Sequence, residues 1–61
     1  MEEKIRNKVI TNIRLTVDAL IASMVQLMDN SPDGAIGAIL DEENRISNTI
    51  DLLRVLRDFK A

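Results

Sequence analysis

The residues that could do chemistry in this 61-residue chain are carboxylates and cations. The chain has no Cys, His, Trp or Tyr, which excludes thiolate chemistry, imidazole bases and the usual zinc ligands. The densest acidic run is Asp41-Glu42-Glu43, but three consecutive acids on a helix point in different directions and no calcium-binding loop pattern surrounds them. No Ser has a base nearby, and no glycine-rich phosphate loop is present. We therefore predict no enzyme activity, no metal and no cofactor.

The charged residues are unevenly distributed along the chain. Residues 1–15 and 47–61 carry seven Lys and Arg against four acids, whereas residues 16–46 carry one Arg against six acids. In a helical hairpin the first set lies at the open end and the second at the turn end. An antiparallel pair of hairpins places opposite charges side by side, which favours that orientation in a homodimer. Reversing Arg54 and Arg57 to Glu would test this orientation.

The same charge distribution bears on nucleic-acid binding. Lys4, Lys8 and Arg54 could form a basic cluster at the open end, but the overall balance is acidic and Phe59 is the single aromatic residue for stacking. Basic residues there also alternate with Glu and Asp, which is not typical of a phosphate-binding surface. We expect these charges to serve solubility and dimer orientation instead.

The elements that position these residues are two helices joined at Asn30. The sequence predicts helix 1 over about 3–29, a turn at 30–32 and helix 2 over about 32–59. Ser31 is a good N-cap, with a hydroxyl oxygen free to accept from an orphaned backbone N–H, and Pro32 suits the first helical position. Asn30 can take the left-handed conformation that closes a helix. The chain therefore reads as a hairpin of two antiparallel helices.

Apolar residues on both helices recur at the spacing of paired helices. On helix 1 they form an arc of about 160°, wider than the roughly 100° stripe that one partner needs, and part of it follows 4-3-4-3 spacing. The inner positions of helix 2 are Ile36, Ile39, Ile46, Ile50, Leu53 and Leu56, and a second stripe near the C-terminus consists of Leu52, Val55, Leu56 and Phe59. The predicted core for self-association or for a partner comprises Ile13, Val17, Leu20, Met24, Leu27, Ile46, Ile50, Leu53 and Leu56.

Several local features leave alternatives open. The run from Asp41 to Arg45 has no apolar residue, so helix 2 is either continuous or broken near Asp41, which would give three helices. Asn12, Asn48 and Thr49 lie at or near the apolar arcs, and we expect all three at boundary positions open to water.

One side-chain pair is expected to stabilise helix 1, and two glycines are expected to weaken helix 2. Arg14 and Asp18 stand four residues apart and can form an ion pair. Gly34 and Gly37 weaken the first turns of helix 2 by about 1 kcal/mol each.

A chain this short is marginally stable alone and usually needs a disulfide, a metal or oligomerisation. Without Cys or His the chain has no disulfide and none of the usual zinc ligands, which leaves oligomerisation or a protein partner. We predict an all-α hairpin that dimerises into a four-helix bundle. The most apolar window, Ile13 to Met28, includes Arg14 and Asp18 and is shorter than the roughly 20 apolar residues that span a bilayer. We expect a soluble cytoplasmic protein with no membrane partner.

Four functions fit this architecture. The first is a small regulatory or adaptor protein that self-associates and acts through protein contacts. The second is a chaperone-like partner of another chain: the hairpin layout, with its aliphatic run from Ile50 to Leu56, resembles the small co-chaperones of type III secretion needle subunits. The third is an RNA binder, because the layout also resembles the dimeric hairpins of plasmid copy-number control. The fourth is an oligomer that sequesters a small ligand between subunits. Neither resemblance assigns a role to a particular residue.

Overall fold

The computed structural model describes residues 1–60, and the protein is all-α as predicted. Helix α1 spans Glu2–Met28, α2 spans Pro32–Leu40 and α3 spans Glu43–Lys60. Both α2 and α3 pack on α1, so together they form one antiparallel arm, called the second arm below. The hairpin is a rod of 47 × 15 × 13 Å, about as thick as two packed helices.

A left-handed residue closes the turn between α1 and α2. The φ angle of Asn30 is 58°, which confirms the conformation predicted for it. Its N–H donates to the Leu27 carbonyl at 3.0 Å, and the Ser31 N–H donates to the Gln26 carbonyl at 2.8 Å. These two bonds form a Schellman motif, which satisfies carbonyls that the end of α1 would otherwise leave unpaired.

Helix α2 begins with Ser31 at the N-cap and Pro32 at the first helical position. The Ser31 hydroxyl makes no capping hydrogen bond, contrary to expectation, and its oxygen lies beside Gly34 instead. A Cβ atom at Gly34 would stand 2.9 Å from that oxygen and 2.6 Å from Gln26 Oε1. Gly34 therefore lets the last turn of α1 and the first turn of α2 approach closely.

The predicted continuous helix over 32–59 is interrupted at Asp41 and Glu42, which form a two-residue turn. The Asp41 N–H donates to the Gly37 carbonyl at 3.1 Å, and the Glu42 N–H donates to the Ile39 carbonyl at 3.0 Å. The helical ladder then resumes with a bond from Ile46 N–H to the Glu42 carbonyl at 2.9 Å. The alternative of a break near Asp41 is the one that the structure shows.

The two arms meet along a seam of mostly small and polar side chains. The seam residues are buried or half-buried and recur at alternating spacings of three and four, the pattern of left-handed helix packing. On α1 they are Ile5, Val9, Asn12, Thr16, Ala19 and Ser23; on the second arm they are Ala35, Ala38, Glu42, Arg45, Thr49, Leu52 and Leu56.

Large apolar residues contribute little to this seam. Val9, 4% exposed, is the single buried apolar residue in the described part of the chain. Asn12 and Thr49 are buried, although boundary positions open to water were expected for them, whereas Asn48 is exposed. Small side chains allow the helices to close on each other, so the interior of the hairpin is narrow and polar.

Candidate functional site

The most prominent surface of the hairpin is a continuous row of large apolar side chains, called the apolar face below. Every member is between 43% and 60% exposed, which is unusual for so many large apolar residues on one side of a monomer. Its members are Ile10, Ile13, Val17, Leu20, Met24 and Leu27 on α1, and Ile36, Ile39, Ile46, Ile50 and Leu53 on the second arm.

The position of the apolar face follows from its offset to the seam. Nearly every member comes one residue after a seam residue, as Val17 follows Thr16 and Ile50 follows Thr49. One residue is a rotation of 100° about a helix axis. Because the arms run in opposite directions, the same rotation carries both stripes to the same side of the hairpin.

A groove between α1 and α3 shows directly that the two stripes adjoin. Its volume is about 190 Å³, and its walls are almost entirely apolar. The lining residues are Ile13, Thr16 and Val17 from α1, and Ile46, Thr49 and Ile50 from α3. The groove is open to solvent along the apolar face, so it could receive a side chain from a second molecule.

Most of the predicted association core lies on this face. Ile13, Val17, Leu20, Met24, Leu27, Ile46, Ile50 and Leu53 are all exposed members of it. Leu56 is half-buried on the seam instead. The remaining inner positions predicted for helix 2, Ile36 and Ile39, are also exposed rather than packed against α1, because the smaller Ala35 and Ala38 occupy the seam one position earlier.

The charges around the apolar face are ordered along the rod. Arg6 and Arg57 follow the seam residues Ile5 and Leu56, so they continue the face at the open end. Arg6 pairs with Glu2 at 3.1 Å and Arg57 with Asp58 at 3.5 Å, and all four side chains are substantially exposed. Exposed pairs of this kind contribute little stability, so both arginines are available to a partner.

The opposite end of the rod is acidic. Asp29 and Asp33 flank the turn between α1 and α2 and are exposed. The ion pair expected between Arg14 and Asp18 is not among those formed within residues 1–60. The rod therefore has an open end with a net positive charge and a turn end with a net negative charge.

The seam contains a charged pair that sequence reasoning missed. Glu42 is 4% exposed, and both of its carboxylate oxygens accept from Arg45 Nη1. Asn12 Nδ2 is buried without a hydrogen-bond partner in the structure. The seam could have been found in the sequence from its small residues, which recur at heptad spacing, each one position before a residue of the apolar stripe.

Two further polar residues of the seam bond to their own helices. Ser23 Oγ donates to the Ala19 carbonyl at 2.9 Å, and Thr49 Oγ1 donates to the Arg45 carbonyl at 2.7 Å. Such bonds satisfy a hydroxyl without a partner on the facing helix. These two residues therefore fit the seam mainly through their small size.

The acidic run does not converge on a shared point. Glu42 is buried on the seam, whereas Asp41 and Glu43 are exposed. Across residues 1–60, no three acidic side chains come together in a way that could hold a metal ion.

Helix α1 is long enough and apolar enough in composition to cross a membrane. The apolar part of α1 therefore extends beyond the window from Ile13 to Met28. Arg14 and Asp18 stand in the middle of the helix, and charges there are costly in a bilayer. A helix whose apolar side packs against protein meets the same criteria of length and composition.

Comparison with known proteins does not assign this chain to a family. No protein-family model matches the chain, and neither the curated proteins nor the solved structures include a match to it. Neither layout resemblance noted from the sequence gains support from these searches. A functional conclusion therefore depends on the surface described above.

Proposed function

We propose that this protein is a small non-enzymatic interaction protein that self-associates through its apolar face. Two hairpins placed face to face form a four-helix bundle, and the surface left outside is available for protein–protein contacts. The observation that carries the proposal is a contrast within the part of the chain that the structure describes: eleven large apolar residues are exposed on one face, and a single apolar residue is buried.

The free energy available from this face is large compared with the stability of a small domain. Burying the remaining half of each side chain would contribute about 1 kcal/mol, or roughly 10 kcal/mol per copy as an upper estimate. Association costs about 4–15 kcal/mol in lost freedom. A dimer gains the burial term twice, which favours association.

The charges favour an antiparallel arrangement of the two hairpins. In a parallel pair, Arg6 and Arg57 of both copies would meet at the same end of the bundle. In an antiparallel pair, these arginines lie over the end of the partner that carries Asp29 and Asp33. Like charges at an interface are unfavourable and opposite charges guide orientation, so the antiparallel homodimer is the arrangement we propose.

A different protein chain or a lipid surface would be the alternative occupant of the same face. A lipid surface is less favourable for two reasons. Glu43 follows the seam residue Glu42 by one position and so places a charge within the face, and the turn end is acidic, whereas surface-bound helices favour Lys and Arg. A helical segment of another chain would compete with the second copy for the same groove. These alternatives are separated by the first experiment.

That experiment is absolute mass by light scattering after size exclusion, over a hundredfold concentration range, with helicity followed in parallel. We expect a helical dimer that dissociates on dilution. A helical monomer at all concentrations would refute self-association. Binding of that monomer to neutral vesicles would favour a lipid surface, and its absence would favour another chain.

Orientation can be measured with one spin label per chain, since the sequence has no cysteine. The face on α1 is centred near residue 18, so labels at Asn7→Cys lie about 11 residues from the centre. At about 1.5 Å per residue, antiparallel hairpins separate the two labels by about 33 Å along the axis. In a parallel pair the separation is roughly 20 Å or less, given interaxial distances of 8–10 Å.

A further inference from the structure

Glu43 is the one charged residue among the positions of the second arm that lie on the apolar face between Ile36 and Leu53. It follows the seam residue Glu42 by one position, as the members of the face follow theirs. It stands seven residues before Ile50, which places both on the same side of α3. Its neighbours on the face are exposed apolar residues, including Ile39 and Ile46.

Within residues 1–59, whose side chains the structure describes, no ion pair forms to the Glu43 carboxylate. The nearest arginine in sequence, Arg45, is bonded to both carboxylate oxygens of Glu42 on the seam. The other ion pairs formed in this part of the chain do not include Glu43. The carboxylate is exposed, and so it is solvated in the free hairpin.

We propose that Glu43 limits the strength of self-association and keeps the dimer readily exchangeable. This inference rests on the proposed function, because it concerns the same face. Covering the face removes water from the carboxylate, and an unpaired charge is costly to desolvate. An apolar residue at this position would instead complete the stripe.

The antiparallel arrangement strengthens this effect. The stripe from Ile36 to Leu53 is centred between residues 44 and 45, within two residues of Glu43. The second arms of two antiparallel copies therefore bring their Glu43 side chains near the two-fold axis. Two carboxylates close together repel each other, in addition to the desolvation of each.

A purely local role for Glu43 makes a different prediction. It is the acidic residue in the first turn of α3, where a negative charge interacts favourably with the helix dipole. If that were its whole contribution, removing the charge would weaken the helix and leave association no tighter. Measuring helicity and association on the same variants distinguishes the two roles.

The test compares Glu43→Leu and Glu43→Gln with the control Asp51→Leu. Asp51 is an exposed acid on α3, its side chain 68% accessible, and it lies one residue beyond Ile50 and away from the face. The control therefore adds the same leucine and removes the same charge elsewhere. Dimer Kd is measured by sedimentation equilibrium on the full chain, with circular dichroism and urea unfolding of each variant.

We expect Glu43→Leu to lower the dimer Kd by about tenfold or more, with Glu43→Gln intermediate. Asp51→Leu should stay within about twofold of the wild-type Kd. If the wild-type chain dimerises and Glu43→Leu binds no more tightly than Asp51→Leu, this inference is wrong and self-association stands. If the wild-type chain and Glu43→Leu are both monomeric at every concentration, both proposals fail.

Discussion

Leu20→Ala separates the stability of the hairpin from the stability of the proposed dimer. Leu20 is 49% exposed in the isolated hairpin. Fully burying a leucine side chain contributes about 1.5–3 kcal/mol, so truncation should lower the free energy of unfolding of the monomer by only about 1 kcal/mol.

The loss of free energy caused by Leu20→Ala is larger when a second copy covers the apolar face. A Leu→Ala substitution at a fully buried site costs about 2–5 kcal/mol, at least 1 kcal/mol more than in the free hairpin. The dimer contains two such sites, so its free energy of association should fall by about 2 kcal/mol or more. The dimer Kd should therefore rise by at least about thirtyfold.

Leu15→Ala is the matched control for this experiment. Leu15 lies on the same helix and is 43% exposed. It comes one position before the seam residue Thr16, whereas the face residue Val17 comes one position after Thr16. Its side chain is therefore on the opposite side of the hairpin. The two variants should lose similar stability as monomers, as measured by urea unfolding below the wild-type dimer Kd.

Sedimentation equilibrium then gives the dimer Kd of each variant. Only Leu20→Ala should weaken dimerisation, and Leu15→Ala should leave the Kd within about twofold of the wild-type value. An unchanged Kd for Leu20→Ala, or equal weakening by both substitutions, would refute the placement of the interface on the apolar face.

Three further substitutions test the second arm of the hairpin. Arg45→Ala removes the cation that pairs with the Glu42 carboxylate, and Glu42 is only 4% exposed. This substitution should reduce the free energy of unfolding by about 1.5–3 kcal/mol. A loss below about 0.5 kcal/mol in urea unfolding would contradict this expectation. A Cβ added at Gly37 has no atom within 4 Å, so Gly37→Ala should raise the urea unfolding midpoint and add up to about 1 kcal/mol to the free energy of unfolding. Gly34→Ala should add less, because Gln26 Oε1 lies only 2.6 Å from the new Cβ. Equal gains from the two alanines would show that Gln26 does not restrict this position.

The ends of the helices were predictable because single residues determine them. Asn30 tolerates the left-handed conformation and Pro32 suits a helix start, and each signal is local. The absence of apolar residues after Leu40 indicated a break near Asp41 as one alternative. Local residue chemistry therefore identified the joints of this fold.

The rotation of the helices was not predictable from hydrophobic periodicity. The apolar stripe and the seam share the same repeat and are offset by one residue, so periodicity alone fits both. Large residues such as Leu20 appeared to belong inside, but the seam instead contains Ala19 and Ala38, whose size permits close packing. For the same reason Asn12 and Thr49 were placed at the boundary. How closely two helices pack depends on the side chains of both helices. The residue pattern of one helix alone therefore does not show which of its stripes forms the contact.

The nine-residue helix α2 has a consequence for local unfolding. None of its residues is buried, it contains two glycines, and isolated helices shorter than about 12 residues are marginal in water. Its backbone amides should therefore exchange with deuterium by local opening, before those of the longer helices. Because α2 supplies Ile36 and Ile39 to the apolar face, any molecule that covers this face should slow that exchange. Amide protection in α2 thus reports whether the face is occupied, whatever the occupant is.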